Sequence, residues 1–218
     1  MRHAFDEQLD KVFANLAQMC QDVDSAVRLA TNALISGEVS KAEQVISGDV
    51  EIDRQREAIE EECFTLLSLQ APVAGDLRVV VAALRMVTEL ERMGDLSVHI
   101  AKVARLRTPM LAVPPDARPI IGRMAQVAEQ MVTQAGKVIA DRDVVAAEAL
   151  AASDDEVDQL RRKSFSDLLD SSWAHGIESA VDIALLGRYY ERIADHAVSV
   201  ANRVVYVVTG ENPTAIGV

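Results

Sequence analysis

Glu91 and Asp95 stand four residues apart in the stretch Glu91-Arg92-Met93-Gly94-Asp95, and Glu191 and Asp195 repeat the arrangement in Glu191-Arg192-Ile193-Ala194-Asp195, 100 positions later. On a helix, residues at i and i+4 share one face, so each stretch aims two carboxylates in one direction. Arg92 and Arg192 point elsewhere, towards neighbouring carboxylates or a partner. A second acidic pair recurs at the same spacing: Asp49 and Asp53 in Asp49-Val50-Glu51-Ile52-Asp53, against Asp154 and Asp158 in Asp154-Asp155-Glu156-Val157-Asp158. Four carboxylates in one layer cannot all be buried and charged without compensation, and a cation is the natural answer. All-oxygen sets suit Mg²⁺, Ca²⁺ or Mn²⁺, carboxylate-rich helical bundles also hold iron, and zinc stays open as a further ion. One metal site is therefore expected in each half: Asp49, Asp53, Glu91 and Asp95 in the first, Asp154, Asp158, Glu191 and Asp195 in the second. His99 lies one turn beyond Asp95 and can add a nitrogen, which its counterpart Ser199 cannot. A surface or supporting place is the simpler reading of that lone histidine. His196 faces away from its acidic pair and is expected to be structural.

Long helices must carry these pairs. Apolar residues at three- and four-residue steps (Leu9, Val12, Phe13, Leu16, Met19, Cys20, Val23, Val27, Ala30, Leu34) mark a first helix over about 5–35, closed at Gly37. A second spans about 41–69 and ends at Ala71-Pro72-Val73-Ala74-Gly75. A third runs to about 107, with Asp76 as its expected cap. Pro109, Pro114, Pro115 and Pro119 mark a linker. Three further helices are expected over about 120–139, 144–173 and 177–208. Val79-Val80-Val81 and Val204-Val205 sit inside helical periodicity, so no strand is expected. The chain thus reads as all-α: two tandem, pseudo-symmetric three-helix bundles over 1–108 and 120–210, a Pro-rich linker over 109–119 and a loose tail over 211–218.

The spacing allows a geometric check. Folding the second and third helices back at Pro72 sets Asp53 opposite Glu91 and Asp49 opposite Asp95. Folding the fifth and sixth back at the Ala174-His175 junction sets Asp158 opposite Glu191 and Asp154 opposite Asp195. Turns chosen from Pro and Gly alone level the acidic pairs in both hairpins, roughly 25–30 Å from each turn at about 1.5 Å per residue.

Composition narrows the function. Half of the 218 residues are apolar, aromatics make up 4%, and the net charge is -12. Such a surface argues against nucleic acid as the main partner, because phosphate backbones require Lys and Arg footprints. Cys20 and Cys63 have no metal-like spacing and suit a reduced cytoplasm. Met1 to Lys11 lacks the apolar core of a secretory signal, and no run approaches a membrane span, so neither export nor direct membrane insertion is expected. No nucleophile–base pair, phosphate-cradling Gly loop or kinase signature is present. Met86, Met93, Met124 and Met131 read as core filling. Apolar residues left over on the helix faces suit a homodimer.

The repeated signatures, together with Gln70-Ala71-Pro72-Val73-Ala74-Gly75-Asp76-Leu77-Arg78 and the closing Val205-Tyr206-Val207-Val208-Thr209-Gly210, resemble the PhoU family of bacterial phosphate-uptake regulators over nearly the whole chain. That resemblance implies two similar three-helix bundles and Glu/Asp-x-x-x-Asp motifs that bind metal, multinuclear iron clusters among them. It also implies a negative regulator of phosphate uptake and of the phosphate regulon, not an enzyme. Such a protein acts in the cytoplasm at the inner face of the membrane, linking the ATPase subunit of a phosphate ABC transporter to a membrane sensor histidine kinase. Departures are modest: Leu96-Ser97 stands where the second copy has His196-Ala197, His99 where the family often has Asn, and Ala194 where Gly is usual. The alternative is a carboxylate-bridged di-metal enzyme or metal store. Those bundles supply Glu-x-x-His pairs, whereas Gly94 and Ala194 follow Glu91 and Glu191 at that spacing.

Overall fold

The computed structural model describes residues 2–70, 72, 74–151 and 154–211. Among the described residues the helical segments are α1 (Arg2–Ser36), α2 (Val39–Gln70), α3 (Gly75–Arg107), α4 (Arg118–Asp141), α5 (Val144–Ala151), α6 (Asp154–Leu169) and α7 (Gly176–Thr209), with a 3-10 turn at Pro115–Ala117 before α4. No strand occurs among the described residues. The fold is all-α and twofold repeated. Helices α1, α2 and α3 pack together, and α4 and α7 pack with α5 and α6, which jointly occupy the place of the expected fifth helix. Residues 152 and 153, and the expected tail over 212–218, lie outside the described residues. Among the described residues, no helix is long and apolar enough to cross a membrane.

The apolar stripe of α1 becomes core: Val12, Phe13, Leu16, Met19, Cys20, Val23, Val27, Ala30 and Leu34 are all buried. The core is continuous across the halves, because α3 packs on α7 and α1 on α4. Polar contacts cross-tie the seam. The Thr133 hydroxyl donates to Asp24 at 2.9 Å, and the buried Tyr190 hydroxyl lies 3.1 Å from that of Thr31. At the C-terminus of α3, Arg107 grips the buried Asp182 of α7 with Nε and Nη2 at 2.5 and 3.1 Å and also pairs with Glu178.

The Pro-rich segment is packed down. Ala112, Val113 and Ala117 are buried. The Leu111 side chain covers the α1–α2 turn so closely that a Cβ on Gly37 would sit 2.8 Å from it. Gly37 also has φ +73°, the left-handed region that favours glycine.

Two local expectations are corrected. Asp76 does not cap α3: Ala74 takes the cap position without a side-chain hydrogen bond, and Asp76 falls in the first turn, where its charge still suits the helix dipole. The expected helix to Trp173 stops at Leu169. Asp170 accepts a hydrogen bond from the Ser172 backbone at 2.8 Å and the Trp173 indole donates to the Gly176 carbonyl at 2.9 Å. The Asp-Ser-Ser run thus offers the backbone a turn that competes with another helical turn.

Candidate metal centre

Helices α2 and α3 supply the first acidic layer, and α6 and α7 the second. Gly94 sets the first approach: a Cβ there would meet Ile52 at 3.2 Å and Asp49 Oδ1 at 3.8 Å, so α2 lies tight against α3 at the level of the carboxylates. Asp49, Asp53, Glu91, Asp95, Asp154, Asp158 and Asp195 are half-buried, and Glu191 is buried.

Electrostatic repulsion couples the expected partners. Asp49 lies above the ordinary carboxylate range, chiefly through burial, then through repulsion from Asp95 and Asp53. Burial and Asp95 likewise raise Glu91, with Asp53 adding to the effect. In the second layer burial pushes Asp154 up to about 6, helped by Asp195, Asp158 and Glu191. Asp195 is raised by burial and by Glu191. The carboxylates of each layer thus repel one another, and proton uptake is the alternative to a counter-charge.

The resident counter-charges are arginines. Glu91 has Arg56 Nη1 and Arg92 Nε each at 3.7 Å. Glu191 accepts from Arg161 Nη1 at 2.9 Å and also from Arg188 Nη1. Sequence reasoning considered Arg92 and Arg192 but missed Arg56, Arg161 and Arg188. Their signal was available: Arg56 and Arg161 lie three residues after Asp53 and Asp158, and Arg188 three before Glu191, so each shares a helix face with an acidic residue. Arg192 is exposed.

His99 is exposed and stacks on Tyr189 of α7, ring centroids 5.4 Å apart. His196 is turned to the seam, its Nδ1 2.6 Å from Glu89 Oε2, in keeping with a structural role. Both cysteines are buried, which pushes each thiol up to about 12.

Among the described residues, no three His, Cys, Asp or Glu side chains converge as a ligand set. The donor chemistry nevertheless fits a hard cation: the layers are all-oxygen, and Asp154 Oδ1 is buried without a hydrogen-bond partner.

A duplicated three-helix unit with an acidic layer between the second and third helix of each copy defines the class. A profile described as the PhoU domain matches residues 16–104 and again 121–204. A phosphate-specific transport system accessory protein PhoU homolog 1 of Mycobacterium leprae is 43% identical over 213 residues, covering 98% of this chain and 96% of that protein. A PhoU homolog of Deinococcus radiodurans is 32% identical over 216 residues, covering 96% and 99%. The crystal structure of PhoU from Pseudomonas aeruginosa superposes with a TM-score of 0.89 at 29% identity, over 95% of this chain and all of that one. The chain belongs to the PhoU family.

Proposed function

We propose that this chain regulates phosphate uptake, its relatives being named accessory proteins of a phosphate-specific transport system, and acts as a non-catalytic, metal-binding adaptor. In this reading it links the ATPase subunit of a phosphate ABC transporter to a membrane sensor histidine kinase at the cytoplasmic face of the membrane, and restrains both when phosphate is plentiful. The observation that carries the metal-binding part is the double acidic layer, in which mostly half-buried, mutually repelling carboxylates stand at matching positions of both repeats. Asp49, Asp53, Glu91 and Asp95 would hold one cation, and the second layer another.

A bound cation supplies positive charge and open coordination positions for a phosphate or a partner's acidic group. The chain's own part is to hold α2 against α3, and α6 against α7, so that carboxylates from two helices reach one ion. Pull-down of the transporter ATPase subunit and of the kinase's cytoplasmic region tests the reading. Glu91→Ala with Asp95→Ala is expected to lose binding while circular dichroism stays unchanged. Equal binding by chelator-stripped and metal-loaded protein would rule out the cation as the contact.

A further inference from the structure

The two halves keep one register, 105 positions apart, from the first helix of each into the next. The buried Leu16 and Met19 match the buried Ile121 and Met124, and the left-handed Gly37 and Arg142, at φ 73° and 52°, follow α1 and α4. In that register Lys11 falls on Asp116, Glu62 on Asp167 and Ile59 on Ser164. The first half has a cavity of roughly 330 Å³ lined by Lys11 and Glu62. Its acid is neutralised from within: Lys11 Nζ donates to Glu62 Oε1 at 2.6 Å and Asn15 Nδ2 to Glu62 Oε2 at 2.9 Å. Ile59 is buried core. The second half keeps the cavity, at roughly 400 Å³, but has an aspartate in place of the lysine and Ile120 in place of Asn15.

This second cavity lies between the end of α6, the turn that follows it and the 3-10 turn before α4. Asp116, Asp167, Asp170, Ser164, Trp173 and His175 line it. Ser164 is 4% exposed, and its hydroxyl makes no hydrogen bond among the described residues. A buried hydroxyl without a partner is costly, and here it stands where the first half has an isoleucine. The cations already present are loosely held. Lys163 Nζ lies 3.2 Å from Asp167 in an exposed i, i+4 pair, which an incoming cation displaces cheaply. His175 Nε2 lies 3.0 Å from Asp116 Oδ2, and its ring meets that of Trp173 edge-on at 4.9 Å. The carboxylates do not converge as a metal-ligand set. Carboxylates, an aromatic wall and a buried acceptor together suit a larger cation, with its charge at the acids and its methylenes against the indole.

We propose that the cavity at the α6–α7 turn receives the terminal ammonium of an alkyl chain, in the place that Lys11 fills from within in the first half. Asp116 and Asp167 neutralise the charge, the Ser164 hydroxyl accepts a hydrogen bond from the ammonium, and Trp173 covers the alkyl stem. The ammonium belongs to a free polyamine or to a lysine side chain of a partner protein. The site is separate from the acidic layers and does not depend on their binding a metal.

The chain's one tryptophan lines the cavity, so Trp173 fluorescence of the full chain reads its occupancy. Titrations with spermidine and, separately, with the blocked peptide acetyl-Gly-Lys-Gly-amide are compared with sodium chloride at equal ionic strength. A saturable change is expected with at least one of the two probes and not with the salt. Saturation by spermidine alone assigns a free polyamine, and saturation by the peptide assigns a partner's lysine. Asp116→Lys rebuilds the pair of the first half, and the fold should tolerate it because the Asp116 side chain is 80% exposed. It is expected to weaken binding by about tenfold or more, the order of one lost charge-assisted contact. Ser164→Ile restores the apolar residue of the first half and is expected to weaken binding by about fivefold, the order of one hydrogen bond. No saturable change with either probe overturns the proposal, as does an equal response to sodium chloride. Parent-like affinity in Asp116→Lys, with circular dichroism unchanged, overturns it independently of whether Ser164→Ile folds.

Discussion

Gly94→Ala probes how closely α2 must approach α3 at the first acidic layer. Ala is favoured over Gly in a helix interior by about 1 kcal/mol, so propensity alone makes the change stabilising. The structure reverses that sign. The new methyl would lie 3.2 Å from both Cδ1 and Cγ2 of the buried Ile52, and overpacking of this kind costs about 1–3 kcal/mol. A net loss of about 1 kcal/mol is expected. The second repeat shows the remedy, because Ala194 stands at the equivalent position and the residue matching Ile52 is the smaller Val157. Ile52→Val alone removes a buried methyl group and is expected to cost about 1 kcal/mol. Together, Gly94→Ala and Ile52→Val remove the Cδ1 contact and keep the Cγ2 contact, so the double variant should cost about 1 kcal/mol less than the sum of the two single variants. Urea unfolding of the parent, both single variants and the double variant reads the coupling directly. Strict additivity, within about 0.5 kcal/mol, would refute the close-approach explanation.

Three further outcomes follow from the same geometry. Asp154 is held near 6, above the unfolded carboxylate, so its contribution favours the fold below about pH 4 and is lost as pH rises through about 6. The raised Asp49, Glu91 and Asp195 act in the same direction. In metal-free protein Asp154→Asn should flatten this dependence and stabilise the chain at pH 7 by about 1 kcal/mol, or about 2–4 °C in Tm, a figure discounted because the side chain is half in solvent; a lower Tm would contradict it. Arg107→Met should cost about 2–3 kcal/mol in urea unfolding, since it strands Asp182 at 5% exposure; a change below about 0.5 kcal/mol would show that the clamp does not hold α3 to α7. Cys20 and Cys63 should resist a thiol reagent at pH 8 in the native chain and react together on unfolding; rapid labelling of native protein would contradict their burial.

Much of this was legible because helical periodicity and repeat symmetry leave strong traces. The stripe from Val12 to Leu34 became core residue by residue, since a long amphipathic helix has one face to bury. Turn positions marked by Pro72 and His175 were enough to set Asp49 against Asp95 and Asp154 against Asp195. The arginines at Glu191 are not marked by the i, i+4 acidic pairs, because Arg161 reaches from another helix and Arg188 from a position at which the repeats differ. The stop at Leu169 was hidden by a competition that periodicity does not register, between one more helical turn and the Asp170 turn. The packing of α1 on α4 and α3 on α7 was not legible either, because it depends on which residual apolar faces meet across the halves.

The central claim, that the acidic layers are cation sites, is tested most directly by elemental analysis of protein purified without chelator or added metal. The comparison is a variant carrying Glu91→Ala, Asp95→Ala, Glu191→Ala and Asp195→Ala. The account predicts stoichiometric metal in the parent and its loss in the variant, which would also identify the ion. No metal in either protein, at equal stability, would contradict the claim and leave the carboxylates as half-buried layers balanced by arginines and protons.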